Sequence, residues 1–344
     1  LQTCGDAEAV FTETQHVLEK IPGFGSATAA AVKRPEVLLQ AEKELAFIEK
    51  NQLTCYFLTD ENYPKRLKEC SDAPVLLYFK GGADLNASRI ISIVGTRHAT
   101  EYGRAMTDEL VHTLSLSIPN LLIVSGLAYG IDVCAHRAAL KANLPTVGVL
   151  AHGLDRIYPP SHRSVAVDML DRGGLLTEFR SGTEPDKPNF VRRNRIVAGM
   201  ADATVVIESA EKGGSLITAD LAFSYGRDVY AFPGRVNDLH SKGCNALIRQ
   251  NKAGLITSAS DLISALCWDI KETASSLPVQ TELFFGEDER TAPVITVLRE
   301  RGEMHIDQLA VALNLPVREL SSLLFELEMN GLIRTLPGNI YRLA

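Results

Sequence analysis

From residue 54 to residue 268, short apolar runs bounded by turn residues alternate with longer stretches whose apolar residues recur at helical spacing. This alternation limits what the chain can fold into more than any other feature. The runs 89–94 (R-I-I-S-I-V), 121–125 (L-L-I-V-S), 146–151 (T-V-G-V-L-A), 174–177, 204–208 (T-V-V-I-E) and 228–232 read as strands, most of them rich in β-branched residues. Stretches 103–116, 131–143, 161–172, 192–200 and 215–225 fit between them as helices. Strands that are apolar almost without interruption are buried on both faces, which calls for a parallel sheet with helices on either side. The expected fold class is α/β with a mostly parallel sheet. In such a sheet ligands bind beyond the carboxyl ends of the strands, so the strand-to-helix loops are where function should lie.

At 344 residues the chain exceeds one ordinary domain. Residues 1–52 are helical in character, broken by the turn signal Ile21-Pro22-Gly23-Phe24-Gly25; residues 53–268 carry the alternating pattern. Residues 269–291 are polar and suit a linker, and 292–344 return to helical periodicity before a short strand pattern. The net charge of −7 argues against a protein that coats duplex DNA through a general positive field. Screening confines each charge to about 8 Å at physiological salt, so a nucleic-acid site would have to be a concentrated patch. The six cysteines are scattered, with no C-x-x-C pair and no zinc-ligand spacing, and read as reduced thiols of a cytosolic protein without a bound metal. No apolar run approaches the roughly 20 residues of a membrane helix, and the first residues lack a basic stretch followed by an apolar one. A cytoplasmic protein with no membrane partner is expected.

The strand-end loops have unusual compositions. Gly95-Thr96-Arg97 places a flexible turn and a bidentate phosphate donor directly after a strand. In Ser125-Gly126-Leu127-Ala128-Tyr129-Gly130-Ile131-Asp132 the glycines permit close backbone approach to a ligand, yet the loop matches neither G-x-G-x-x-G nor a Walker sequence. The absence of G-K-[ST] argues against ATP hydrolysis. His136, His152 and His162 sit at no local chelating spacing and follow no nucleophile pattern, so a structural Tyr-Pro turn is the expectation there, with Asp132 and Asp155 as loop-capping carboxylates. The densest basic cluster surrounds Phe190: Arg180, Lys187, Arg192, Arg193 and Arg195. Cations with an aromatic among them suit single-stranded DNA, since charge tracks the backbone and a ring accepts a base face. Equally, Phe190 could be a core residue and the arginines partners of Glu178, Glu184 and Asp186. The residues alone leave both open. The loop 208–218 adds a Gly-Gly turn and hydroxyls at a helix start. Several anion-suited loops on one sheet edge imply an extended polyanion more than a single phosphate.

These loops resemble the DNA-processing protein A family (DprA, also called Smf). The resemblance rests on 93–97 (I-V-G-T-R), 125–132 (S-G-L-A-Y-G-I-D), 153–159 (G-L-D-R-I-Y-P), 190–199 (F-V-R-R-N-R-I-V-A-G), 214–220 (G-S-L-I-T-A-D), 226–234 (G-R-D-V-Y-A-F-P-G) and 243–249 (G-C-N-A-L-I-R). It implies an extended Rossmann-like, doubly wound sheet that binds single-stranded DNA, forms a homodimer, and helps load RecA in natural transformation or recombination. It implies no cofactor and no catalytic residues. The resemblance carries DNA contacts onto Arg97, Lys187, Phe190, Arg193 and Arg195, and places Ser125, Gly126 and Ser215 around a DNA-backbone pocket. His152 stands where members often carry a small residue or Cys, which leaves its role open. Residues 21–32 are similar to a helix-hairpin-helix element, with Ser26 and Thr28 in place of the usual Lys. Residues 292–344 resemble a winged helix whose third helix carries Glu319, Glu326 and Glu328 beside Arg318, a composition that would repel phosphates and favours protein contact. Two rivals stand beside this reading. Related Rossmann proteins cleave nucleoside monophosphates with a Gly-Gly-x-Gly-Thr-x-x-Glu loop; here Gly213-Gly214-Ser215-Leu216-Ile217-Thr218 lacks the second-half spacing and the Glu. A protein-only scaffold is the other.

Overall fold

The structure, a computed structural model, describes residues 3–4, 7–268, 291–329, 332–336 and 339–343. The chain divides into two compact units, Leu1–Ile270 and Lys271–Ala344. The first opens with helices α1 (Ala7–Thr12), α2 (Gln15–Glu19), α3 (Ser26–Val32) and α4 (Pro35–Asn51). Helix α2 packs on α3 across a turn in which Gly23 has φ +85°. Proline at the first position of α4 and the left-handed Gln52 after its end account for its boundaries. The expected linker lies, apart from Thr291, outside the described residues.

A nine-stranded sheet follows. Its strands are β1 (Thr54–Phe57), β2 (Leu76–Gly81), β3 (Ile90–Val94), β4 (Leu122–Ser125), β5 (Thr146–Val149), β6 (Gly174–Thr177), β7 (Ala203–Val206), β8 (Asp228–Ala231) and β9 (Gly254–Leu255), in the order β1-β2-β6-β5-β4-β3-β7-β8-β9. Pairing is parallel from β6 to β9 and antiparallel where β2 meets β6 and β1 meets β2. Between the strands run α5 (Lys65–Lys68), α6 (Glu101–Ser117), α7 (Ile131–Lys141), α8 (Arg163–Asp168), α9 (Lys187–Gly199), α10 (Gly214–Ser224) and α11 (Lys242–Arg249), and α12 (Ala259–Ala265) follows β9.

Every residue of β3 is buried, and its side chains divide between two cores. Val94, Val124, Val147 and Val206 face Ile196 and Val197 of α9 and Ala219 and Ala222 of α10. Ile91, Ile93, Ile123 and Val205 face Leu110 and Leu114 of α6, Ala135 of α7 and Leu262 of α12. A strand sandwiched in this way shows no polar alternation, which is why the runs read as continuous. The edges differ. β1 is partly exposed, and β9 is two exposed residues, so neither carries the doubly buried signature, and the sequence reading passed over them with β2.

The chain lays down β3 to β6 in one direction and then crosses to β7 on the other side of β3. The strand order therefore reverses between β3 and β7, and the crevice above their carboxyl ends is where a doubly wound sheet receives a ligand.

The second unit is α13 (Ala292–Arg301), β10 (Met304–His305), α14 (Ile306–Leu313), α15 (Val317–Met329), β11 (Ile333–Leu336) and β12 (Ile340–Leu343), with strand order β10-β12-β11. Val294, Leu298, Leu309, Leu320, Leu324, Leu327 and Ile333 form its core at helical spacing, in the expected winged-helix arrangement. Asn330, Pro337 and Gly338 lie outside the described residues. No helix among the described residues is long and apolar enough to cross a membrane.

Candidate nucleic-acid interface

Strand β3 ends at Val94 and turns at Gly95, where a Cβ would fall 2.5 Å from Ile131 Cγ1. Glycine lets this turn lie against the start of α7. Thr96 is then tied on both sides: its N–H donates to Glu208 O at 2.7 Å, and its carbonyl accepts from Ile131 N–H at 3.2 Å. The loops after β3, β4 and β7 thus form one rim, from which the exposed Arg97 projects. Its guanidinium lies over the ring of Phe190, 5.1 Å from the centroid. Phe190 is half-buried, and the Tyr158 ring tilts against it at 5.9 Å.

Helix α9 starts earlier than the sequence spacing suggests. Asp186 caps it, accepting from Asn189 N–H at 2.9 Å, and Pro188 occupies its first turn. Lys187 and Phe190 are therefore on the first turn of a helix, at i and i+3, and both line a cleft of about 830 Å³. Thr96, Arg97, Gly126, Arg193, Lys212 and Ser215 line it too.

Arg193 forms the floor. It is 3% exposed, and Nη1 donates to Val149 O at 2.7 Å while Nε has no partner. A Cβ on Gly126 would sit 1.8 Å from that Nη1, so glycine makes room for a guanidinium here. Burial pushes Arg193 down to about 10, opposed by Asp132 and reinforced by Arg97. Asp132 is displaced upward, chiefly by burial, against Arg193 and the N–H groups of Ala128 and Gly126; the Gly126 N–H donates to it at 3.1 Å. Ser215, 6% exposed, donates to Ser209 Oγ at 2.9 Å.

Two residues depart from the sequence reading. Ser125 is fully buried and donates to Ile93 O at 2.6 Å, tying β4 to β3 rather than lining the cleft. Arg195 does not line it either: it donates to Glu178 at 2.6 Å and to the Asp72 carbonyl. Arg192 shares Glu178 at 2.7 Å, and Arg180 donates to Gln40 Oε1 at 2.6 Å. The two readings of the basic cluster therefore divide it. Lys187, Phe190 and Arg193 face the cleft, while Arg192 and Arg195 are structural ion pairs.

Lys212 and Tyr158 belong to the cleft and were not singled out from sequence. Lys212 had the signal of Arg97, a cation beside glycine at a strand end. The role of His152 is now visible. Its Nδ1 meets Gly153 O at 2.9 Å and its Nε2 accepts from Tyr158 N–H at 3.2 Å, so this imidazole, held neutral by burial, fixes the turn that sets Tyr158 against Phe190. His162 Nδ1 meets Leu127 O at 2.9 Å, and His136 Nδ1 meets Thr146 Oγ1 at 2.7 Å. Asp155 accepts from Gly182 N–H at 2.9 Å, capping a loop as expected. Among the described residues no three His, Cys, Asp or Glu are grouped to hold a metal.

Compared with known proteins, residues 54–267 match the family described as DNA recombination-mediator protein A, which spans the whole sheet. The chain belongs to this family. The DprA winged helix domain matches residues 286–339. Among DprA/Smf relatives, Protein Smf of Synechocystis sp. is 33% identical over 328 residues, covering 86% of this chain and 81% of that protein. The X-ray structure of DprA from Streptococcus pneumoniae superposes with a TM-score of 0.61 at 32% identity, covering 76% of this chain and 94% of that one. DprA from Helicobacter pylori, whose structure is described for its single-stranded DNA binding mode, gives 0.57 at 30% identity, covering 63% of this chain and 96% of that one.

Proposed function

We propose that this chain binds single-stranded DNA in the cleft above β3, β4 and β7. Phosphates lie against Arg97, Lys187 and Lys212, with Arg193 adding its charge from the floor and Gly126 and Ser215 admitting the backbone. A base lies against Phe190. The carrying observation is the Arg97 guanidinium over the Phe190 ring at 5.1 Å, both at the rim of the cleft that Lys187 lines. A half-buried ring between phosphate-binding cations reaches an unpaired base and not one stacked inside a duplex. The DprA relative described as binding single-stranded DNA supports the same reading.

The finer function proposed is that the chain dimerises and helps load RecA onto the bound strand in natural transformation or recombination, in the cytoplasm; membership of the family supports it. The exposed Glu319, Glu326 and Glu328 of α15 favour a protein contact for the winged helix. A binding role without catalysis is favoured because the carboxylates lining the cleft are engaged, Asp132 with backbone N–H groups and Asp186 as a helix cap. Incubation with a panel of nucleotides is expected to release no free base.

The test is a mobility-shift titration with oligothymidine and matched duplex at several salt concentrations. Lys187→Ala is expected to weaken oligothymidine binding and to flatten its log–log salt dependence by about 0.7, the share of one single-strand phosphate contact. Arg195→Ala, which breaks the pair with Glu178, is expected to leave that slope unchanged. Equal slopes for wild type and Lys187→Ala, with the fold intact, would remove Lys187 from the interface.

A further inference from the structure

Arg97 and His98 line two hollows. Beside the cleft, they border one of about 610 Å³ whose other walls include Arg104, Tyr129, Arg137 and His162. We propose that this hollow is a second station for the bound strand: a nucleotide beyond the one at Arg97 sets its phosphate between Arg104 and Arg137, with the Tyr129 ring beside its base. This rests on the single-stranded DNA reading of the cleft.

Three guanidiniums line the hollow and no carboxylate does. Both Arg104 and Arg137 are exposed, and among the described residues neither is in a salt bridge. Arg104 donates one Nη to Ala99 O at 2.6 Å, which orients the group and leaves its other donors. Acidic influence on the hollow wall comes from Asp108, one turn along α6 from Arg104, and from Asp132, both of which act on Cys134 from outside the lining. In a chain of net charge −7, gathering three cations without an acid among them costs folding free energy by mutual repulsion, and an anion relieves it.

Continuity argues for a strand over a lone phosphate. Arg97 and His98 are common to both linings, so the backbone can pass from one hollow to the other without leaving a cation. The shared wall is held firmly: Gly130 has φ +78°, and a Cβ there would fall 2.1 Å from Thr96 O, so the loops at 96–97 and 130 are in close contact. Tyr129 is 47% exposed and meets His162 near-perpendicular, ring centroids 5.0 Å apart, so part of its surface is open to a base.

The experiment uses the whole chain and a ladder of labelled oligothymidines, from about 4 to about 16 nucleotides, read by fluorescence anisotropy at several salt concentrations. Arg104→Gln with Arg137→Gln is expected to bind the shortest oligomers as wild type does and the longer ones more weakly. On the longer ones the salt slope should fall by about 1.4, twice the single-contact value of ~0.7. Arg104→Lys with Arg137→Lys should restore it, and Tyr129→Ala should weaken the longer oligomers alone. A loss that is equal at every length, or absent at every length, overturns the second station; in the latter case a retained effect of Lys187→Ala leaves the cleft reading standing. Displacement of the long oligomers by thymidine monophosphate from wild type but not from the double Gln variant would assign the hollow to a free nucleotide and overturn the proposal. If wild type binds no oligomer in low salt, the cleft reading fails first and this one with it.

Discussion

Phe190→Ala is expected to weaken oligothymidine binding by about 1–3 kcal/mol, roughly 5- to 140-fold in Kd, with little change in the salt slope. The loss has two parts. The base loses its stacking surface, and Arg97 loses the ring that seats its guanidinium at 5.1 Å. No charge is removed, so counterion release is nearly unaltered, which separates this variant from Lys187→Ala. Phe190→Leu keeps most of the volume and discards the π-face, so it should recover stability but not affinity. Phe190 is half-buried on the first turn of α9, with Tyr158 as its aromatic neighbour, so the fold should survive both changes. A drop of less than twofold in an intact protein would show that the ring packs and does not stack.

The parallel body of the sheet was legible because burial on both faces leaves an unbroken apolar run, and the loops that close those runs could be named with it. Strands β1 and β9 were not, since an edge strand is held by its pairing partner and only partly by its own apolarity; β2, one place in from the edge and antiparallel to both neighbours, lies outside the alternating strand-helix pattern and was missed with them. Within the site the decisive missing information was helical phase. Beginning the helix at 192 leaves Lys187 to Val191 as a loop and makes all the arginines equivalent. Beginning it at Lys187, as the Asp186 cap and Pro188 direct, puts 187, 190, 194 and 197 on the cleft face and 192 and 195 on another, where Glu178 takes both. That cap signal was present in the sequence. The burial of Arg193 was not, because it depends on Gly126, Asp132 and Val149 arriving from other strands. Ser125 was misplaced for a similar reason: its strand-end position suggested a ligand, but its hydroxyl satisfies the neighbouring strand.

Arg193→Met is expected to destabilise the fold by about 1–3 kcal/mol, the usual result of leaving a buried polar group without its partner. Methionine fills much of the same space, so the loss reports charge more than volume. Val149 O loses its donor, and Asp132 remains buried without the cation that most opposes its desolvation. Adding Asp132→Asn removes the stranded charge, so the double variant should recover a large part of the loss, and urea unfolding of the four proteins measures that coupling. The pH dependence has a fixed sign. Asp132 has a folded pKa above its ordinary value, so its contribution to stability is fully present below the unfolded pKa, near ~3.9, and is lost as pH rises through the folded one. Without Arg193 that folded value rises further, and the loss extends to higher pH. His136 acts in the same sense. Burial and then Arg193 push it down to about 3, so wild type loses stability as pH falls below the unfolded value of ~6.5, and the variant loses less. The deficit of Arg193→Met should thus be widest near neutral pH and narrow as the solution is acidified. A deficit independent of pH would mean that Arg193 supports the cleft floor through packing alone, and that its charge is not what Asp132 balances.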